Sequence, residues 1–98
     1  MNLIYGIYCE QYRNIIYAWE TMNTLYQRQQ LNLSRIRTGR NLEPVSAHFR
    51  NENHSIRDYR IIGIEKTNKN EEYRKTREIF WINKLKTWKP LGLNVKNV

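Results

Sequence analysis

The sequence has little of what would brace a protein covalently or hold it in a membrane. Of its 98 residues one is a cysteine, Cys9, so no internal disulfide can form, which fits a reducing compartment. No apolar run is long enough to span a bilayer and no signal peptide is recognisable. A Gly-rich phosphate loop, paired carboxylates and a Ser/His/Asp set are also missing. We therefore expect an intracellular protein with no membrane partner.

Acidic residues are scarce relative to basic ones. The sequence has nine Asp and Glu residues and 17 Lys and Arg residues, which gives a formal net charge of +8. Such a balance favours a polyanionic partner, although a basic surface that only keeps the protein soluble explains the charge equally well. Arginines interspersed with tyrosines and tryptophans suit phosphate contact and base stacking.

Hydrophobic and turn patterns predict one small α+β domain over residues 1–98. The element order is β-β-α-α-β-α, in which helices flank a small three-stranded antiparallel sheet. The first two strands are joined as a hairpin by a polar link. The strands are predicted over residues 3–9, 14–18 and 59–66.

Helix signals separate the second and third strands. Thr21 or Thr24 can cap a helix that runs to about Arg37. Pro44 then opens a shorter helical segment over residues 44–49, because proline is favoured in a first turn.

The final helix carries an acidic residue among apolar ones. Apolar and aromatic side chains between Glu71 and Asn94 recur at three- and four-residue steps, and Pro90 is expected to end the helix. Glu78 falls on this apolar stripe. An unpaired buried carboxylate is unfavourable, so we predict an arginine, lysine or metal partner for Glu78. The stripe consists of Tyr73, Trp81, Ile82, Leu85 and Trp88.

Residue types needed for phosphodiester cleavage are scattered along the chain. Tyr5 and Tyr17 lie in the hairpin, Arg28 in the first helix and Glu78 in the last. Cleavage needs a base for the proton of water, a cation for the phosphate oxygens and a carboxylate for a divalent metal ion. On residue types alone, packing tyrosines and a structural Arg–Glu ion pair are the favoured interpretation.

With these residues in this order, the chain resembles the GIY-YIG nuclease domain, especially the type carried by Penelope-like retroelements. The likeness covers nearly the whole sequence. Tyr5 in YGIYC fits the tyrosine of the first motif, because the literal GIY at residues 6–8 is out of register with Tyr17. YAWET, beginning at Tyr17, matches the second motif. The strongest segments are VSAHFRNENHS at 45–55, IGIEK at 62–66 and RKTREIFWINKLKTWKPLGLN at 74–94.

The resemblance implies a metal-dependent endonuclease and assigns its site residues. Tyr5 would act as, or assist, the general base, with Tyr17 positioning it or the water. Arg28 would stabilise the pentacovalent phosphate. Glu78 would bind Mg²⁺ or Mn²⁺, and Asn94 matches the late asparagine of the family.

Two departures from the family pattern support an alternative function. Trp19 replaces the glycine of the second motif, and Asn32 stands where many members have histidine. An indole can displace substrate, and an amide cannot exchange protons near pH 7. A catalytically impaired nucleic-acid-binding module of the same fold, or a decayed element fragment, is therefore the alternative.

A second set of residues concerns zinc. Penelope-type members often carry two hairpin cysteines and two histidines after the second helix. Cys9, His48 and His54 match three of these positions, while Tyr12 stands near the fourth. A closed zinc site takes four ligands, so we expect a buried free thiol and two loop histidines rather than bound Zn²⁺.

The resemblance also sets the expected biological context. It implies that the chain nicks or hydrolyses DNA for a mobile element, within a cell and in the nucleus if the host is eukaryotic. It is also compatible with the chain being part of a larger retroelement polyprotein.

Overall fold

Three antiparallel strands form a sheet in the order β2-β1-β3. The computed structural model describes residues 2–39, 43–51 and 53–95. The central strand β1 is buried along almost its whole length, because both its edges are paired and both its faces are covered. The strands are β1 (Leu3–Cys9), β2 (Asn14–Thr21) and β3 (Tyr59–Lys66).

Two helices connect β2 to β3. Helix α1 (Leu25–Thr38) begins with a capping box between Thr24 and Gln27. It ends at Gly39, whose φ of 76° is the left-handed conformation that glycine adopts without strain. Helix α2 (Pro44–Arg50) follows, and a short 3₁₀ turn (Ile56–Asp58) leads into β3.

The hydrophobic core lies between the sheet and the two connecting helices. Ile36 of α1 and Phe49 of α2 are buried against it. Burial of such side chains contributes about 1.5–3 kcal/mol each. The other buried members of this core are Tyr5, Ile7, Cys9, Ile16 and Tyr59.

Helix α3 (Glu71–Leu85) packs against β2 and is capped by the Asn70 side chain. The expectation that Pro90 ends this helix is wrong. Lys86 already leaves the helix, with φ of 57°, and its N–H bonds to the carbonyls of Ile82 and Asn83. Trp88 therefore lies beyond the helix instead of continuing its apolar stripe.

The segment after α3 turns back along β2. The N–H of Leu93 donates to the Ile16 carbonyl at 2.8 Å. At Gly92 a Cβ would lie 2.5 Å from backbone atoms of Thr87, so only glycine fits this close approach. The return brings Asn94 against the strand that carries Tyr17.

The structure confirms the predicted α+β class and the order β-β-α-α-β-α. The bounds of β1 and β3 are those predicted, whereas β2 continues to Thr21 instead of ending at Ala18. That extension matters because it carries Trp19, Glu20 and Thr21 into the sheet. Within the described ranges, no helix has the length and apolarity needed to cross a bilayer.

Candidate active site

A cleft of about 430 Å³ opens where β1, β2 and α1 meet. Three of the predicted site residues, Tyr5, Tyr17 and Arg28, line it together. Tyr8, from the literal GIY, is not among the lining residues of the described chain. The other lining residues are Trp19, Glu20, Asn32, Arg35, Glu43, Pro44 and Val45.

Strand register brings the two tyrosines together. Tyr5 pairs with Trp19 and Ile7 pairs with Tyr17, so the tyrosines are diagonal neighbours across β1 and β2. Their ring centroids are 6.5 Å apart with an interplanar angle of 52°. Tyr5 is buried and Tyr17 is partly buried, so their phenols belong to one mostly dry environment.

Arg28 projects from the first turn of α1 over the Tyr5 ring, with 5.8 Å between its Cζ and the ring centroid. Its Nε donates to the hydroxyl of the buried Thr21 at 3.3 Å. In the part of the chain that the structure describes, no carboxylate lies within ion-pair distance of Arg28. The guanidinium is thus held at the cleft with its charge available to an anion.

Burial keeps both phenols protonated. It raises the pKa of Tyr5, an effect opposed by the nearby charges of Arg28 and Arg35. Burial also raises the pKa of Tyr17, and the neighbouring Tyr5 and Glu78 raise it further. At neutral pH both tyrosines therefore carry their hydroxyl protons, and Tyr5 is the one on which cationic neighbours act more strongly.

Asn32 connects the cleft to a third tyrosine. Its Nδ2 donates to the Tyr59 hydroxyl at 3.0 Å, and it also hydrogen-bonds to Tyr5, which lowers the pKa of that phenol. Burial raises the pKa of Tyr59 to about 12. Sequence reasoning missed Tyr59 and Thr21, because only the sheet register brings them to the site.

Glu78 is not among the described residues that line the cleft, although its charge acts on Tyr17, and it is almost completely buried, with 3% of its side chain exposed. The predicted partner is a lysine: Lys75 Nζ lies 3.9 Å from Oε1, while Oε2 has no hydrogen-bond partner. Desolvation raises the pKa of Glu78 to about 7, an effect that Lys75 partly offsets.

Trp19 connects Glu78 to the tyrosines. Its indole is stacked on Tyr17, with centroids 6.2 Å apart and planes at 24°. Lys75 Nζ lies 5.3 Å from the centroid of the same indole. A continuous series of contacts therefore runs from Tyr17 through Trp19 and Lys75 to Glu78.

Asn94 lies behind β2 and does not line the cleft. Its Oδ1 accepts from the Ala18 N–H at 3.0 Å, and its Nδ2 donates to the Ala18 carbonyl at 2.9 Å. Thr87 donates to the same Oδ1 at 2.6 Å. The side chain acts on the backbone between Tyr17 and Trp19, which indicates a positioning role.

Comparison with solved structures relates this geometry to a known protein. The catalytic domain of the homing endonuclease I-TevI matches with a TM-score of 0.78, over 99% of this chain and 100% of that one. The chain has the GIY-YIG fold. Sequence identity is 16%, so the likeness shows the fold, and the roles of residues rest on their geometry. No protein-family model and no curated protein matches the sequence.

The surroundings of Glu78 fit a divalent cation on this GIY-YIG fold. A buried carboxylate oxygen without a partner, Oε2, is a hard oxygen donor in need of a cation. Mg²⁺ and Mn²⁺ accept such a donor, and Mg²⁺ needs only one or two protein carboxylates.

Away from the cleft, the structure brings Cys9, His48 and His54 together, with His48 in helix α2 and not in a loop as expected. Their ligand atoms all lie within 4.8 Å of one another, and neither ring nitrogen of His54 has a hydrogen-bond partner. Burial and the neighbouring His54 lower the pKa of His48, which favours the neutral, metal-binding imidazole. The Tyr12 ring covers both histidines, with centroid distances of 5.2 and 5.0 Å. The donor set suits zinc but supplies three ligands.

Proposed function

We propose that this chain is a DNA endonuclease domain that hydrolyses phosphodiester bonds with the help of Mg²⁺ or Mn²⁺. The observation that carries the proposal is the meeting of Tyr5, Tyr17 and Arg28 in one cleft, with the buried carboxylate of Glu78 close enough for its charge to act on Tyr17. The GIY-YIG fold, shared with a homing endonuclease catalytic domain, supports DNA as the substrate.

Arg28 has the environment of a phosphate-binding residue. Its guanidinium lies at the cleft, is held by the Thr21 hydroxyl and has no carboxylate partner among the described residues. A planar guanidinium can bond two phosphate oxygens at once. Negative charge builds on these oxygens as water attacks phosphorus, so Arg28 would stabilise the transition state more than the ground state.

Tyr5 and Tyr17 would orient the attacking water and handle its proton. Tyr5 would accept that proton in its phenolate form, which Arg28 and Arg35 favour against the effect of burial on its pKa, and the transferred proton would re-form the phenol. Tyr17, whose pKa is raised by burial and by the neighbouring Tyr5, Glu78 and Glu43, stays protonated and can donate a hydrogen bond to the water or to Tyr5. The two phenols therefore have separate roles.

Glu78 would hold the metal ion through its carboxylate. The ion, when bound, supplies positive charge that stabilises the oxygens of the phosphate and the leaving group. Asn94 would contribute indirectly, by fixing the Ala18 backbone between the two cleft residues of β2.

We further propose the biological setting implied by the sequence. The domain would be of the Penelope-like type and would nick DNA for a mobile element, as part of a longer polyprotein. Such an enzyme would act inside the cell, and in the nucleus of a eukaryotic host.

Nicking of supercoiled plasmid tests the activity. The wild type should convert supercoiled DNA to open circles with Mg²⁺ or Mn²⁺, and Glu78→Ala should lose at least about 100-fold in rate. Glu72→Ala, on the exposed face of the same helix, is the matched control and should cleave like wild type. Equal cleavage by wild type and Glu78→Ala, or by neither, would refute the assignment.

A specific observation favours the alternative, a nucleic-acid-binding module without cleavage. Trp19 and Lys75 stand against Tyr17 and Glu78, and Asn32 replaces a histidine. This alternative predicts DNA affinity that falls steeply with salt, without nicking by wild type. Trp19→Gly with Asn32→His should then restore cleavage, and the absence of any DNA binding would exclude both functions.

A further inference from the structure

Lys75 and Glu78 form an ion pair at the position where the endonuclease would need a metal ion. The ammonium lies 3.9 Å from Oε1, one helical turn before the carboxylate. The two side chains differ in exposure: 48% of Lys75 is exposed, against 3% of Glu78. On its solvent side, the buried carboxylate of Glu78 is therefore approached by the Lys75 ammonium, a cation that the protein itself supplies.

Trp19 keeps this ammonium in place. The Lys75 Nζ lies 5.3 Å from the indole centroid, a cation–π distance, while the indole itself is stacked on Tyr17. A lysine side chain free in solvent would sample many rotamers. Here an aromatic ring fixed by a second ring restricts the ammonium to the neighbourhood of Glu78.

A divalent ion and this ammonium would compete for the same carboxylate. A bound metal ion would be repelled by Lys75, and its arrival would require Lys75 to leave both Glu78 and the indole. The unpartnered Oε2 shows that the lysine does not satisfy the whole carboxylate, so a better cation can displace it.

We propose that Lys75, held by Trp19, is a built-in competitor that weakens divalent-metal binding at Glu78. The inference rests on the proposed metal-binding role of Glu78 and adds the residues that set its affinity. It assigns Trp19 and Lys75 a positioning role at the metal site, distinct from contact with DNA.

Mn²⁺ binding, measured by the electron paramagnetic resonance signal of the free ion at pH 8.0, tests the proposal without any nuclease assay. Lys75→Met removes the charge, keeps much of the aliphatic stem and retains high helix propensity. It should bind Mn²⁺ at least about tenfold more tightly than wild type. Trp19→Leu keeps the lysine but removes its aromatic contact, and should give a smaller gain of roughly threefold.

Lys84→Met is the matched control. Lys84 lies on the same helix beside Phe80, and its removal changes the net charge equally. Its affinity for Mn²⁺ should stay within about twofold of wild type, because salt screens distant charges. Circular dichroism of each variant would verify that the fold is retained.

The double variant Lys75→Met with Glu78→Gln distinguishes failure of the competitor inference from failure of the proposed metal-binding role of Glu78. If wild type and Lys75→Met bind equally and Glu78→Gln abolishes binding in both, the competitor inference is overturned and the metal site stands. If the double variant binds as tightly as Lys75→Met, or if none of the proteins binds Mn²⁺, the metal-binding role of Glu78 fails and the inference fails with it.

Discussion

The side-chain amide of Asn94 pairs with both backbone polar groups of Ala18, at 3.0 and 2.9 Å. It bonds the edge of β2 in the way that a neighbouring strand would. Both residues are buried, so loss of the amide would leave the Ala18 N–H and C=O without partners in a dry environment.

We expect Asn94→Ala to lower the free energy of unfolding by about 2–4 kcal/mol, since it removes the side-chain hydrogen bonds to two buried backbone groups of Ala18 and leaves a small cavity. Asn83→Ala is the control, because Asn83 is exposed and accepts one bond, from Trp88. It should cost less than about 1 kcal/mol. Urea unfolding measures the unfolding free energy of both variants. Similar losses in Asn94→Ala and Asn83→Ala would argue against a stabilising role of the Asn94–Ala18 hydrogen bonds.

The hydrogen bond that Arg28 Nε donates to the Thr21 hydroxyl leads us to predict that Thr21 affects the nicking rate. Thr21→Val keeps the shape but removes the acceptor, so the guanidinium should lose its fixed orientation at the cleft. We expect the nicking rate to fall about tenfold, with DNA affinity within about twofold of wild type.

Thr21→Ser keeps the hydroxyl and should recover most of the rate. Plasmid nicking under single-turnover conditions, with DNA binding measured separately, gives both quantities. An unchanged rate in Thr21→Val, or a loss in Thr21→Ser as large as in Thr21→Val, would mean that the hydroxyl does not position Arg28.

The parts of the fold that sequence predicts well are those set by local patterns. Short runs rich in Ile and Tyr, bounded by polar turns, predicted the bounds of β1 and β3. The position of Glu78 on an apolar stripe predicted a buried carboxylate with a partner. The end of α3 was misplaced because Lys86 adopts a left-handed conformation, which lysine rarely favours and no local signal indicates.

The parts that sequence does not predict depend on where β2 ends and on how distant segments pack together. Thr21 meets Arg28 because β2 runs three residues further than its apolar pattern. Trp19 meets Lys75 because α3 packs on β2, 56 residues later in the chain. These contacts determine the positions of the side chains in and around the cleft, and residue types alone do not predict them.

The buried carboxylate of Glu78 predicts an unusual dependence of stability on pH. Its pKa rises from 4.5 to about 7 in the folded protein, so the folded state binds more protons than the unfolded state between these values. The stabilisation from the neutral carboxyl is complete below pH 4.5 and is lost as pH rises through 7. The loss amounts to about 3 kcal/mol.

Glu78→Gln isolates this effect, because the amide is neutral at every pH. Without divalent metal, the variant should have about the same unfolding free energy as wild type at pH 4.5, and should be more stable by up to about 3 kcal/mol at pH 8. The pKa of Glu65 is lowered by hydrogen bonds from Arg77 and Trp81, so Glu65 changes stability with pH in the opposite direction. This contribution is the same in wild type and Glu78→Gln, and it cancels from the difference between them. A stability difference between the two proteins that does not change with pH would show that burial does not raise the pKa of Glu78.

The cluster of Cys9, His48 and His54 predicts that a single substitution creates a zinc site. The three ligand atoms already lie within 4.8 Å of one another, and the Tyr12 ring covers the two histidines. A closed zinc site takes four Cys or His ligands. We therefore expect Tyr12→Cys to supply the fourth ligand and to bind Zn²⁺ far more tightly than wild type.

Thermal unfolding with and without Zn²⁺ measures the difference. At a zinc concentration about 100 times its Kd, Tyr12→Cys should gain about 2.7 kcal/mol, or roughly 10 °C in Tm for a domain of this size. Wild type should shift by less than about 2 °C at the same concentration, and Tyr12→Ser should behave like wild type. Adding Cys9→Ser to Tyr12→Cys should abolish the gain, because it removes the Cys9 Sγ, which lies 3.5 Å from His48 Nε2. A full shift in wild type would instead show that three protein ligands suffice to hold the ion, with Tyr12 or water completing the site.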